Sequence, residues 1–260
     1  EPAPFLPTAL RHLLQGRRWE ELEPRGCAML LWSMASQRYD ERLEPFYLML
    51  ADRCIVPKVA FFHAQDISNC LWAFAASRLQ HPAAYEAMAG RACEIIETLN
   101  PQAIANVAWS CAKMQTHSGR LLELASEEAV RRPLHTWRPQ ALATLCWAVA
   151  EAGLRPQALL SIVAEQLRLR GRDFNDVDLA TLAWIFRADV GWPESCVDLR
   201  RGALVHIARE AASRHLPRTR DALESVLTSS AVNEGSGHGK GESEYLEHGL
   251  TADESALGHA

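Results

Sequence analysis

Apolar residues along this chain recur with helical spacing, and the pattern itself repeats. Five tryptophans, Trp32, Trp72, Trp109, Trp147 and Trp184, follow one another at intervals of 40, 37, 38 and 37 residues, and their neighbours align with them. Around each, apolar residues stand five, two and one before the Trp and two after it, as in Ile104, Val107, Ala108 and Cys111. That is the i, i+3, i+4, i+7 stripe of a helix with one buried face. The Trp itself reads as a core residue of that helix. Ala and Ser after it (Ala73, Ser110, Ala148) leave room for a neighbouring helix to approach closely.

The helix start is written five times. Eight before the Trp stand Pro24, Ala64, Pro101, Pro139 and Asp176; proline suits the first helical position because its missing N–H has no intrahelical partner there. Ten before it stand the large apolar residues Leu22, Phe62, Leu99, Trp137 and Phe174, and five before it Cys27, Ile67, Ile104, Leu142 and Leu179. These are the two ends of a hydrophobic staple, which fixes how the chain enters a helix. About twelve residues beyond each Trp comes a second helical run: 43–55, 83–99, 120–131, 157–170 and 194–213. Each repeat is therefore a helix hairpin of about 37 residues, too small to bury its own apolar stripe. The expected fold is all-α, an α-solenoid of about five stacked hairpins spanning residues 22–227. Residues 1–21 read as a partial preceding repeat or cap, and residues 228–260, rich in Gly, Ser, Glu and His without periodicity, as a disordered acidic tail.

Charge enters the picture through its distribution. The 27 basic and 32 acidic residues give a formal net charge of −5, which on its face opposes a nucleic-acid partner. From Thr228 onward, however, six acidic residues face Lys240 alone, so the other 227 residues carry 26 charges of each sign. Arg outnumbers Lys 24 to three, and six Arg fall between Arg200 and Arg220 with Glu210 the one acidic residue among them. Read as the second helix of the last repeat, that segment offers Arg200 and Arg201 as backbone-phosphate contacts, against the alternative of a solvated helix face. The seven cysteines show no CxxC spacing and read as buried small hydrophobes of a reducing compartment. The longest apolar stretch, near 141–150, is about half a membrane span.

No motif of catalysis stands out: no HExxH, no GxSxG, no Rossmann glycine triplet and no acidic cluster with metal-ligand spacing. The expectation is a binding surface without catalytic residues, metal or cofactor. Its most informative positions are those that interrupt the apolar pattern. Three before the Trp stand Met29, Asn69, Asn106, Thr144 and Thr181, four of them small hydrogen-bonding groups in an oily helix. Asn offers donor and acceptor and Thr a hydroxyl, so each can read the edge of an unstacked base; the alternative is an internal hydrogen-bond ladder between repeats. Six before and four after the Trp, Asp66, Ala103, Ala141 and Asp178 and then Ala76, Lys113, Glu151 and Ala188 are expected on the same face, with helix capping as the competing role for the two aspartates.

The runs Asn100-Pro101-Gln102-Ala103-Ile104-Ala105-Asn106-Val107-Ala108-Trp109 and Gln65-Asp66-Ile67-Ser68-Asn69-Cys70-Leu71-Trp72-Ala73-Phe74-Ala75 resemble the repeats of octotricopeptide and heptatricopeptide proteins and the related leucine-rich region of FAST-kinase-type proteins. The resemblance covers about residues 22–213. It implies an α-solenoid that binds, processes or stabilises organellar RNA, in mitochondrion or chloroplast, with single-stranded RNA as partner and no membrane or small-molecule substrate. The expected RNA-binding residues are Asn69, Asn106, Thr144, Thr181, Lys113, Arg200 and Arg201. The first repeat departs from the pattern at Met29. The fifth departs at Val177, Ile185 and Arg187, and no segment resembling the RAP domain often found in these families follows the array. The alternative function is a protein-interaction scaffold, such as a structural part of an organellar ribosome.

Overall fold

The computed structural model describes residues 19, 21–36, 41–115, 119–187 and 194–232. Residues 1–18 and 20 of the expected partial repeat or cap, residues 233–260 of the expected tail and Ala188 lie outside them. Every first helix begins at the residue eight before its Trp, a proline in three of the five. These are α1 (Pro24–Ser36), α4 (Ala64–Ala76), α6 (Pro101–Lys113), α8 (Pro139–Glu151) and α10 (Asp176–Ile185). The reason is local chemistry. Asn100 and Asn175 accept hydrogen bonds from the third backbone N–H of their helices, from Ala103 and Asp178. The staple residues Phe62, Leu99, Trp137 and Phe174 are buried, and so are their partners Ile67, Ile104, Leu142 and Leu179.

The second helices are α5 (Pro82–Glu94), α7 (Gly119–Arg131), α9 (Gln157–Arg170) and α11 (Val197–Arg214). In the first repeat the second helix is broken into α2 (Glu44–Leu50), a π-helical turn over Ala51–Ile55 and α3 (Val56–Lys58). Pro57 accounts for the break, since it donates no backbone N–H and its ring crowds the carbonyl four residues back. All of the described regular structure is helical, and the architecture is an all-α solenoid of helix hairpins. No helix among the described residues is long and apolar enough to cross a membrane.

The chain forms two compact bodies, residues 1–154 and 155–260. In the first, α1 packs on α4, α4 on α6 and α6 on α8, forming one layer, while α5 packs on α7 in the other. Tyr47, Phe74 and Tyr85 meet edge to face there, and the Tyr47 hydroxyl is 2.8 Å from that of Ser77. In the second body α9 packs on α11.

The second body also contains a helix that the Trp alignment did not anticipate, α12 (Pro217–Val232), which packs on α10 as a further first helix. The Asp176 carboxylate accepts hydrogen bonds from the backbone N–H of Arg218 and Thr219 and from the Thr219 hydroxyl, at 3.1, 2.9 and 2.7 Å, and so caps α12 from the start of α10. Two expectations change here. The segment from Arg200 to Arg220 is divided by His215, whose left-handed backbone (φ 55°) ends α11, so Arg218 and Arg220 belong to a different helix from Arg200 and Arg201. The 227/228 boundary, moreover, falls inside α12.

Candidate nucleic-acid interface

An α-helix turns about 100° per residue, so positions seven before, three before, at and four after the Trp lie within about 60° of one another. In the structure these four positions are all accessible on α4, three of them are on α6, where the Trp is buried, and on α8 only the first and last are. On α4 they are Gln65, Asn69, Trp72 and Ala76; on α6, Gln102, Asn106, Trp109 and Lys113; on α8, Gln140, Thr144, Trp147 and Glu151. The position six before the Trp, expected on this face, lies about 120° from the Trp, on the side of the buried stripe. Asp66, Ala103, Ala141 and Asp178 are accordingly buried. The aspartates serve as caps: Asp66 accepts from the backbone N–H of His63 and Asp178 from that of Asn175, each at 3.1 Å.

The Trp stands at the seam between this stripe and the buried face. Trp109 and Trp147 are 5% exposed and fit the core reading, whereas Trp32, Trp72 and Trp184 are half-buried. The two asparagines share one arrangement. Gln65 Nε2 donates to Asn69 Oδ1 at 2.8 Å, and Gln102 Nε2 donates to Asn106 Oδ1 at 3.0 Å. Both bonds run along a single helix, so no ladder from repeat to repeat forms through Asn69 and Asn106. Among the described residues neither Asn Nδ2 donates to the protein.

The threonines differ. Thr144 is 1% exposed and Thr181 4%, and the Thr181 hydroxyl donates to the Val177 carbonyl of its own helix at 2.8 Å. Lys113, half-buried, ends the stripe on α6. Arg200 and Arg201 are set apart from these residues: they lie near the start of α11, a second helix, rather than on the stripe of α10. Arg201 is exposed, and Arg200 is half-buried with its Nε enclosed and unpartnered.

One recurrent polar feature was missed in the sequence. A basic residue near the end of a second helix reaches back to the carbonyl of the large residue that precedes the first helix of its repeat. Lys58 Nζ bonds Leu22 O at 3.1 Å, Arg91 Nε bonds Phe62 O at 3.3 Å and Arg214 bonds Phe174 O at 2.8 Å; Arg132 binds the carbonyls of Leu99 and Glu97. Arg214, one of the six Arg between Arg200 and Arg220, is thus a structural clamp. The four cations stand 26, 19, 23 and 30 residues after their Trp, so aligning the repeats on Trp scatters them.

Burial raises the Asp178 carboxyl to about 6, outweighing the hydrogen bond from Asn175. An acid whose folded pKa lies above its unfolded value of about 4 weakens the fold at high pH and is relieved as pH falls through 6 toward 4. Asp178→Asn is therefore expected to stabilise the protein by about 2–3 kcal/mol at pH 7.5, a gain that fades by pH 4. Urea unfolding at the two pH values checks this, and an equal gain at both contradicts it.

The fold and stripe together define a helical-repeat protein with a polar, tryptophan-flanked face. No family model matches the chain. A curated relative is the chloroplastic RAP domain-containing protein of Oryza sativa subsp. japonica, 30% identical over 94 residues. The match takes in 36% of this chain and 14% of that relative.

Proposed function

We propose that this chain is a single-stranded RNA-binding solenoid of organellar RNA metabolism, acting in RNA processing, stability or translation, with the chloroplast as its setting. It is read as a binding surface, not a catalyst. The observation that carries the reading is the repeated Gln–Asn pair. In each pair the Gln orients the Asn through Oδ1 and leaves Asn Nδ2 as a donor and Gln Oε1 as an acceptor along the open stripe. A Watson–Crick edge presents both kinds of group, and the half-buried Trp72 ring supplies a surface for stacking beside the first pair.

The relative's printed name supports the setting, since RAP domains accompany repeats of the octotricopeptide type, which these repeats resemble. The weak net charge of the helical region favours recognition through base edges over a broad phosphate footprint.

The test is retention of a random-sequence single-stranded RNA pool by the full chain at low and high ionic strength. Enrichment of a short motif is expected. No RNA retained at low salt overturns the reading in favour of a protein-binding scaffold.

A further inference from the structure

The first repeat departs from the Gln–Asn arrangement at both of its positions. Seven and three before its Trp it carries Arg25 and Met29, where α4 has Gln65 and Asn69 and α6 has Gln102 and Asn106. The bond from amide to amide that orients Asn69 and Asn106 has no counterpart between these side chains. Arg has donors alone and the Met thioether is a weak acceptor, so the pair presents no matched donor and acceptor to the edge of a base.

The stripe of α1 is nonetheless accessible. Arg25, Met29 and Ser36 are exposed and Trp32 is half-buried. Met29 leaves a large apolar side chain 45% exposed at the position where α4 and α6 carry a polar one. Residues three apart on a helix are neighbours, which sets Met29 beside Trp32. Because α1 packs directly on α4 in the same layer of the same body, this apolar spot continues the line of the α6 and α4 stripes.

Every base has a π face, and a surface that meets that face is tolerant of sequence. The polarizable thioether of Met makes favourable contacts with aromatic rings. Arg25 brings a positive charge to the same stripe, complementary to a nucleic-acid backbone.

We propose that Met29 and Trp32 hold the face of one RNA base without regard to its identity, so that a strand read by Asn69 and Asn106 is also gripped at a sequence-neutral position on α1. This rests on the RNA reading above and adds a subsite to it.

The experiment grafts the missing pair. A random single-stranded RNA pool is selected with the full chain as wild type, as Arg25→Gln/Met29→Asn and as Met29→Ala, with thermal melts to confirm folding. Affinity for an oligonucleotide carrying the wild-type motif is then measured for wild type and Met29→Ala. The graft is expected to enrich the wild-type motif lengthened at one end by a further specified base, the same base preferred at the positions of Asn69 and Asn106. Met29→Ala is expected to select the unchanged motif and to bind it about two- to tenfold more weakly, the worth of a sulfur–aromatic contact. If wild type enriches a motif, and the graft adds no base to it or Met29→Ala binds as tightly as wild type, the neutral subsite is overturned while the RNA reading stands. If wild type retains no RNA at low salt, both fall.

Discussion

Trp137→Ala is expected to cost about 3–5 kcal/mol, the range for removing a large buried aromatic. Trp137 is 1% exposed and forms the outer end of the staple at the start of α8. Its removal leaves a cavity where the chain turns into the helix and uncovers Leu142, the other end of the staple. One compensation runs the other way, because the indole Nε1 is buried without a partner and its enclosure already costs stability. Trp137→Phe keeps most of the volume and removes that N–H, so it is expected to be far milder than the Ala variant. Trp72→Ala, at a half-buried ring on the stripe, is also expected to cost less. Urea unfolding of the three variants gives the ranking; a Trp137→Ala midpoint close to wild type contradicts the staple account.

Arg132→Ala is expected to cost about 2–4 kcal/mol, because it takes one of two guanidinium partners from a buried carboxylate and a donor from two backbone carbonyls. The Glu128 side chain is 6% exposed and that of Arg132 17%, with Arg132 Nε 2.6 Å from Glu128 Oε1. Burial pushes the Glu128 carboxyl up, but the hydrogen bonds from Arg132 and Arg131 outweigh it and hold it below the ordinary value. The variant leaves Glu128 with Arg131 and deprives the carbonyls of Leu99 and Glu97 of a donor. A depressed carboxyl contributes stability above its unfolded pKa and loses it as pH falls through the folded value. The deficit of Arg132→Ala should therefore be full at pH 7 and narrow below about pH 4. A deficit independent of pH would place the effect in lost packing of the Arg stem and not in the ion pair.

The helix starts were legible because their chemistry is local. A proline or capping residue, the third N–H and two staple residues fall within seven positions, and all five first helices begin at the residue eight before the Trp. The accessible face was legible only in part. The break in the apolar pattern marks the Asn/Thr position, but nothing in that pattern marks its partner one turn earlier, which is the Gln seven before the Trp and not the residue six before it. A one-residue error at 100° per residue replaces a stripe residue with a buried cap. Helix α12 was hidden for a different reason: Ser225 stands where its Trp would be, eight after Pro217. The clamps of Lys58, Arg91, Arg132 and Arg214 depend on second helices of unequal length, and only the folded chain brings them to a common place.

The claim at the centre is that the stripe reads bases, and the structure separates its members. Asn69 and Asn106 present donors along the open stripe, while Thr144 and Thr181 are buried. The direct measurement is selection from a random single-stranded RNA pool by the full chain, by Asn69→Ala/Asn106→Ala and by Thr144→Ala/Thr181→Ala, each checked for an intact melt. The account predicts that the Asn pair variant loses the enriched motif at its positions and the Thr pair variant retains most of the selection. The same motif enriched to the same degree by the Asn pair variant would contradict it.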